Sequence, residues 1–449
     1  MKIVVVGAGE VGFYLCQVLS DTGHDVTLIE SSASRANEVD EVLNVRVVTG
    51  NGASAEGLSR AGAGECDYLL VMTSDDRTNL VSSSLGKALG AKTTIVRVHD
   101  QTYSEHSKVN YQLHFGIDLL INPEALCAVE LAKAIRNPGR LAVENFARGQ
   151  IEVQQVRISG KSKLIGRTLK DLRLDPRARI GYVQRDEKLQ IADAETMLEA
   201  NDLVTLVGPT EALFEIKPKF DPEAAKDLVR VVISGASETA LVLLRLLSNP
   251  RFKVRILEAN PRQCRVLAER YPQATVIHGS ATSLRLLEEE QIGSCDYFVG
   301  CTRDDEENVM TCLQAAKLGA KHVQLVINKP DYEAVLNNLS GTLGIQLTVS
   351  PRITTGNEVL RYISKEPYIE LAALPGGEVR VVELLVAKDS PCVNKTIREL
   401  ALPRGTVIVA LQHKFQAKVP RAEDVLLAGD RVVVIVRQNQ IKDVVNLLT

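Results

Sequence analysis

At 449 residues the chain exceeds one ordinary domain, and at about 150 residues per domain it suggests three or four. Hydrophobic residues at 45% and charged residues at 24% are the balance of a soluble globular protein, which excludes a disordered or fibrous chain. A net charge of -3 without a long Lys/Arg block excludes a phosphate-tracking stripe for nucleic acid and a polybasic membrane anchor.

The opening MKIVVVGAGE enters a strand and a glycine turn directly, so no signal peptide is expected. Short apolar runs then alternate with helical stretches: KIVVVG, DVTLIE, VRVVTG, DYLLVM, TTIVRV and GIDLLI read as six strands of a parallel sheet. Amphipathic segments such as 10 to 20 and 76 to 89 read as crossover helices between them. The sixth strand, at about 117 to 121, leads into Asn122 and Pro123, and Pro123 opens a helix expected to run to about 136 and to stop at Asn137, Pro138 and Gly139. From 151 the plan changes to EVQQVRI, a short helix LIGRTLKDL, ARIGYVQR and LVTLVG, a small α+β module. Pro209, Pro218 and Pro222 punctuate the link to VRVVISG, where the sheet restarts. The last module shows GTVIVALQ and DRVVVIV as its clearest strands. No run approaches the ~18 apolar residues of a membrane span.

The restart is an internal duplication at a period near 228 residues. Residues 66 to 92 and 295 to 321 are identical at 11 of 27 positions without a gap. The same offset pairs Gly7 with Gly235, Glu30 with Glu258, Tyr103 with Tyr332 and Pro123 with Pro351. It continues into the small modules, where 164 to 172 falls on 392 to 400 and Asp202 on Asp430. The expected fold is α/β: two Rossmann-like, doubly wound parallel-sheet domains, 1–138 and 218–366, each followed by a small α+β domain, 139–217 and 367–449.

The strongest chemical signal is Gly7, Gly9 and Gly12 in GAGEVG, between the first strand and the first helix, with Glu30 at the end of the second strand. Gly7 permits the tight turn, Gly9 lets backbone N–H groups approach a pyrophosphate, and Gly12 allows close helix packing. Glu30 can accept hydrogen bonds from an adenosine ribose and should repel a 2′-phosphate, which favours NAD or NADH over NADP. Gly50 and Asn51 after the third strand, and Thr73 and Ser74 after the fourth, lie at the carboxyl ends where open sheets hold ligands. For Thr73 to Asp76 a helix N-cap is an equally good reading. Arg97 reads as a phosphate partner or as one half of a surface salt bridge. In the second copy GASETA places Ser237 at the Gly9 position and Ala240 at the Gly12 position, and Val326 replaces Arg97. A side chain at the middle position crowds a pyrophosphate, so the two sites should differ, with the first binding more firmly.

The seven His and eight Cys form no metal-ligand spacing and no C-x-x-C pair. The Cys read as small core residues in a reducing compartment. No acid or base is set out for hydride transfer, so neither a catalytic residue nor a metal site is assigned. An NAD-dependent oxidoreductase with a very small substrate domain stays open as the alternative, as does a regulator of a different cation transporter.

Together, GAGEVG with Glu30, the V-V-x-G-N-G stretch, the run from Asp67 to Asp76 and the small module, all duplicated, resemble tandem RCK domains, the regulators of potassium conductance. The four-part arrangement resembles the TrkA family, cytoplasmic subunits of bacterial Trk potassium uptake systems, over nearly the whole chain. The resemblance implies RCK N- and C-terminal domains and a peripheral protein of the inner membrane's cytoplasmic face. It also implies a homo-oligomeric ring, commonly of four chains, beneath a Trk-type potassium channel membrane subunit. NAD(H), and also ATP or ADP, would bind near the glycine turns and gate potassium flow. The ligand-contacting positions it implies are Gly7, Ala8, Gly9, Glu10, Val11, Glu30, Gly50, Asn51, Thr73, Ser74 and Arg97. Gly235, Ala236, Ser237, Glu238, Thr239, Glu258 and Thr302 would form the second site.

Overall fold

The computed structural model describes all residues except 105–108, 137–141, 147–150, 173, 186–187, 193, 223–227, 333–334, 337–343, 364–366, 374–377 and 414–415. It divides into two compact units, one formed by Met1–Ala132 with Leu228–Ile363 and the other by Lys133–Asp227 with Ser364–Thr449.

In the first unit the chain begins with β1 (Lys2–Val6), α1 (Glu10–Asp21), β2 (Asp25–Glu30), α2 (Ala33–Val42), β3 (Arg46–Thr49) and α3 (Ala55–Arg60). It continues with β4 (Tyr68–Val71), α4 (Asp76–Leu89), β5 (Thr93–Arg97), α5 (Tyr111–His114), β6 (Leu119–Ile121) and α6 (Pro123–Arg136). All six strands are parallel, in the order β3-β2-β1-β4-β5-β6. The order reverses between β1 and β4, and a crevice opens there at the carboxyl ends of the strands. Alternation of side chains explains the two-sided burial: Ile3 and Val5 feed one core layer, Val4 and Val6 the other. The second copy repeats this sheet in the order Thr275–His278, Phe252–Glu258, Val229–Ser234, Tyr297–Gly300, His322–Val326, Ile345–Val349.

One helix closes a core in the other copy. Helix Pro351–Ile363, which follows the second sheet's last strand, contributes Val359 and Ile363 to the core of the first sheet and packs along α1. Gly356 makes the close approach possible, since a Cβ there would lie 2.3 Å from Cε1 of Tyr14. Its counterpart α6 brings the Cys127 Sγ to 3.6 Å from the Thr354 hydroxyl. The apolar periodicity marks this face of each helix as buried, but it carries no information on which of two similar sheets covers it.

The second unit contains two five-stranded antiparallel sheets. Their orders are Lys188–Ile191, Arg179–Arg185, Leu203–Gly208, Ile151–Arg157, Ala142–Phe146 and Tyr368–Ala373, Val379–Leu385, Arg431–Arg437, Val407–His413, Gln416–Lys418. They share one apolar layer in which Val153, Tyr182 and Val207 meet Val381, Val409 and Ile435. Two sequence expectations are corrected here. The helix expected at LIGRTLKDL is only a 3₁₀ turn, Leu169–Asp171, because Gly166 takes φ +76 and Thr168 pairs with Met197 as an isolated bridge. Pro218 does not lie in a linker. It lies inside helix Thr210–Phe220, near its end, and Leu213, Ile216 and Phe220 of that helix fill the module's own core. The expected boundary at 217 therefore falls inside a helix. Seven of the eight Cys are buried and Cys264 is partly exposed.

Candidate functional site

The crevice above β1 is built by the glycine turn. Gly7 takes φ +97, a conformation open to glycine, and its N–H bonds the Ile29 carbonyl at 2.8 Å, tying the turn to β2. At Gly12 a Cβ would lie 1.9 Å from the Gly7 carbonyl oxygen, so α1 can begin this close to β1 only without a side chain there. Gly9 is different. A Cβ there would meet nothing within 4 Å, and α1 starts at Gly9 with no side-chain cap. The first N–H groups of α1 therefore face open space, the arrangement in which helix termini hold anions.

Glu30 braces this turn. Its Oε2 accepts the Ala8 N–H at 2.7 Å, and its Oε1 accepts the Ser32 N–H at 2.8 Å and the Ser31 hydroxyl at 3.1 Å. Burial pushes the carboxyl upward, but the backbone donors of Ser32 and Ala8 and the Ser31 hydroxyl outweigh it and hold the group below its ordinary value. The acid is therefore ionised at neutral pH, and Oε2, which accepts only the Ala8 N–H, keeps capacity for a further donor.

Gly7, Ala8, Gly9, Glu10, Val11, Glu30, Gly50, Asn51, Thr73, Ser74 and Arg97 all line one cleft of about 450 Å³. Gly12 does not line it and acts in packing. Asp75 caps α4 by accepting the Thr78 N–H at 2.6 Å, while Thr73 and Ser74 face the cleft, so capping and lining coexist in one loop. Arg97 is half-buried. Desolvation lowers its pKa against the opposing pull of Glu124 and Asp76, and its Nε has no hydrogen-bond partner.

Asn79, which supports the cleft from the core, and Asn328 and Arg352, which line it, escaped the sequence reading. Asn79 is fully buried; its amide nitrogen donates to the Thr73 and Arg97 carbonyls, both at 2.9 Å, and its amide oxygen accepts the Thr73 N–H at 3.1 Å. It thereby fixes the two loops that carry Thr73 and Arg97. Its retention as Asn308 within the duplicated segment was the available signal. Asn328 and Arg352 line the first cleft from the second copy, and no local pattern points to them.

The second turn keeps the scaffold but caps its helix with a side chain. Gly235 takes φ +89, and Asn308 bridges Thr302 and Val326 as Asn79 bridges Thr73 and Arg97. Ser237, however, caps its helix by accepting the Ala240 N–H at 3.4 Å, occupying a donor left uncapped in the first copy. Nearby, burial first and then the charges of Asp304 and Glu258 raise the pKa of Glu307. Ala236, Glu238 and Thr239 complete the turn, and Glu258 accepts the Asn260 N–H at 2.7 Å. Among the described residues no group of three His, Cys, Asp or Glu gathers as a metal site would require, and no helix is long and apolar enough to cross a membrane.

Comparison with known proteins adds the family. The TrkA-N domain model matches residues 3–123 and 231–351, and the TrkA-C domain model matches 153–221 and 381–449. A Trk system potassium uptake protein TrkA homolog of Archaeoglobus fulgidus is 31% identical over 444 residues, 99% of each chain. The Trk system potassium uptake protein TrkA of Halomonas elongata is 30% identical over 455 residues, 100% of this chain and 98% of that one. Among solved structures, the GsuK channel bound to NAD matches with a TM-score of 0.59 at 18% identity, covering 100% of this chain and 78% of that one. With the duplicated Rossmann-like and small domains matched twice over and relatives aligned end to end, the chain belongs to the TrkA family.

Proposed function

We propose that this chain is a nucleotide-sensing regulatory subunit of a potassium uptake system and not an enzyme. The single observation that carries this reading is the uncapped start of α1 at Gly9, open to a cleft of about 450 Å³ and braced by an ionised Glu30. A phosphate chain would occupy the space above Gly9, with the first N–H groups of α1 and Arg97 as its partners. The adenosine ribose would meet Glu30, and Gly50, Asn51, Thr73 and Ser74 would form the remaining wall. NAD(H) fits this donor set, and ATP or ADP shares its adenosine and phosphates. The bound nucleotide supplies charge and contacts here, with no chemical step. Its effect is a population shift: a ligand biases two shapes of the assembly only by its differential affinity for them. The weaker second turn, from Gly235 to Thr239 with Glu258 and Thr302, serves assembly or a lower-affinity ligand. The protein works as a homo-oligomeric ring at the cytoplasmic face of the inner membrane, against a Trk-type channel subunit. The relatives named for Trk potassium uptake and the NAD-bound GsuK channel support this reading.

The test is potassium flux through a Trk membrane subunit reconstituted with this protein, with and without NADH and ATP. Nucleotide-dependent flux that disappears in Glu30→Ala is expected. Flux indifferent to every nucleotide contradicts the proposal.

A further inference from the structure

We infer that Arg352 of the second copy is a phosphate-contacting residue of the first copy's cleft, so that one bound nucleotide touches both copies. The inference rests on the proposed nucleotide reading and adds to it a residue, a ligand preference and a route of coupling.

Arg352 lines the cleft together with Asn328 and Pro351, facing the turn formed by Gly7 to Val11. Its position is set by packing. It stands in the first turn of helix Pro351–Ile363, which is clamped on α1 through Gly356 against Tyr14 and through the buried Val359 and Ile363. The guanidinium lies 5.0 Å from the centre of the Tyr14 ring. Tyr14 is four residues beyond Glu10 and three beyond Val11 on α1, hence on the helix face that leads back to the glycine turn. The cleft thus carries a guanidinium from each copy, Arg97 and Arg352, around the uncapped helix start. Its lining acids are Glu10 and Glu30, and the Glu30 carboxylate is already engaged by backbone donors.

The duplication sharpens the point. At the offset that pairs Pro351 with Pro123, Arg352 falls on Glu124 and Asn328 falls near His99. In the first copy those two are hydrogen-bonded to each other, His99 Nδ1 to Glu124 Oε1 at 2.7 Å. The two copies keep the proline and reverse the charge after it. A cation at this one place suits a polyphosphate or pyrophosphate, which gains a guanidinium from the second copy beside Arg97 of the first. Binding then depends on how the two copies are arranged, as a sensor of this kind requires.

The experiment is calorimetric titration of the full-length protein with ATP, ADP, NADH and AMP, comparing wild type with Arg352→Gln, Arg352→Lys, Arg352→Glu and Gly9→Val. Arg352→Gln should weaken ATP and ADP about tenfold or more and AMP less, with the unliganded melting temperature unchanged. Arg352→Lys should retain more affinity than Arg352→Gln, and Arg352→Glu less than either, which separates a charge effect from a packing effect. Equal ATP affinity in wild type and Arg352→Gln, with binding lost in Gly9→Val, overturns this inference and leaves the nucleotide site standing. A wild-type protein that binds none of the four overturns both.

Discussion

The Glu30 carboxylate accepts the Ala8 N–H at 2.7 Å, so the acid at the end of β2 also closes the glycine turn that follows β1. Its removal should therefore affect both the turn and any ligand. Because the folded-state pKa is depressed, the stability Glu30 contributes is present above the ordinary carboxylate value near ~4.3 and is lost as pH falls through the lowered value. Glu30→Gln should narrow the difference in urea midpoint between pH 6 and pH 3, and should weaken NADH binding at neutral pH. An unchanged pH profile would show that the carboxylate does not brace the turn.

Gly12 and Ala240 occupy equivalent places with unequal room. A Cβ on Gly12 would lie 1.9 Å from the Gly7 carbonyl, whereas Ala240 is accommodated and fully buried in its own turn. Gly12→Ala should cost about 1–3 kcal/mol and lower the melting temperature, through the shift α1 must make. Ala240→Gly should not improve folding, since it only adds backbone freedom within a helix. Thermal melts of the two variants check the contrast.

In the small domains, the buried Tyr182 hydroxyl donates to the Gly405 carbonyl at 2.6 Å, joining the two antiparallel sheets. Burial pushes the phenol up to about 12, so it remains a donor across the accessible pH range. Tyr182→Phe keeps the ring and strands a carbonyl. The expected cost is about 1–2 kcal/mol, read as a lower urea midpoint with no change in nucleotide affinity.

Much of this was legible in sequence because the signals are local. The Val-rich strands, the crossover helix over 76 to 89 and the helix opening at Pro123 follow from periodicity and turn chemistry, and the structure has α4 at Asp76–Leu89 and α6 at Pro123–Arg136. Gly7, Gly9 and Glu30 converge because one βαβ unit brings them together. What escaped reading is non-local. Arg352 is distant in sequence from the turn it faces, and helix Pro351–Ile363 completes the core of the other copy, although its pattern would suit either. The 3₁₀ turn at Leu169–Asp171 escaped for another reason: the bridge between Thr168 and Met197 overrides a helical pattern.

The second turn can be tested by uncapping its helix. Ser237→Gly removes the cap on the Ala240 N–H, at a cost of only a few tenths of a kcal/mol because glycine is itself tolerated at a cap. Glu307→Gln removes a carboxylate whose raised pKa marks an unfavourable charge. Since that pKa lies above the unfolded value, the charged form destabilises the fold at neutral pH. The gain from Gln should be present at pH 7 and vanish below about pH 4.3. The double variant should increase the number of nucleotides bound per chain or tighten the weaker site, measured by calorimetric stoichiometry.

The most direct test of the central claim uses Gly9, where φ is -68 and an added Cβ meets nothing within 4 Å, so that a side chain is tolerated by the fold and projects where a phosphate would lie. Equilibrium titration of NADH and ATP into the full-length protein should show saturable binding to wild type and none at the first turn of Gly9→Val, with both unliganded proteins folded and Gly9→Val at most slightly less stable, as a poorer N-cap. Equal binding by both proteins, or binding by neither, would contradict the account.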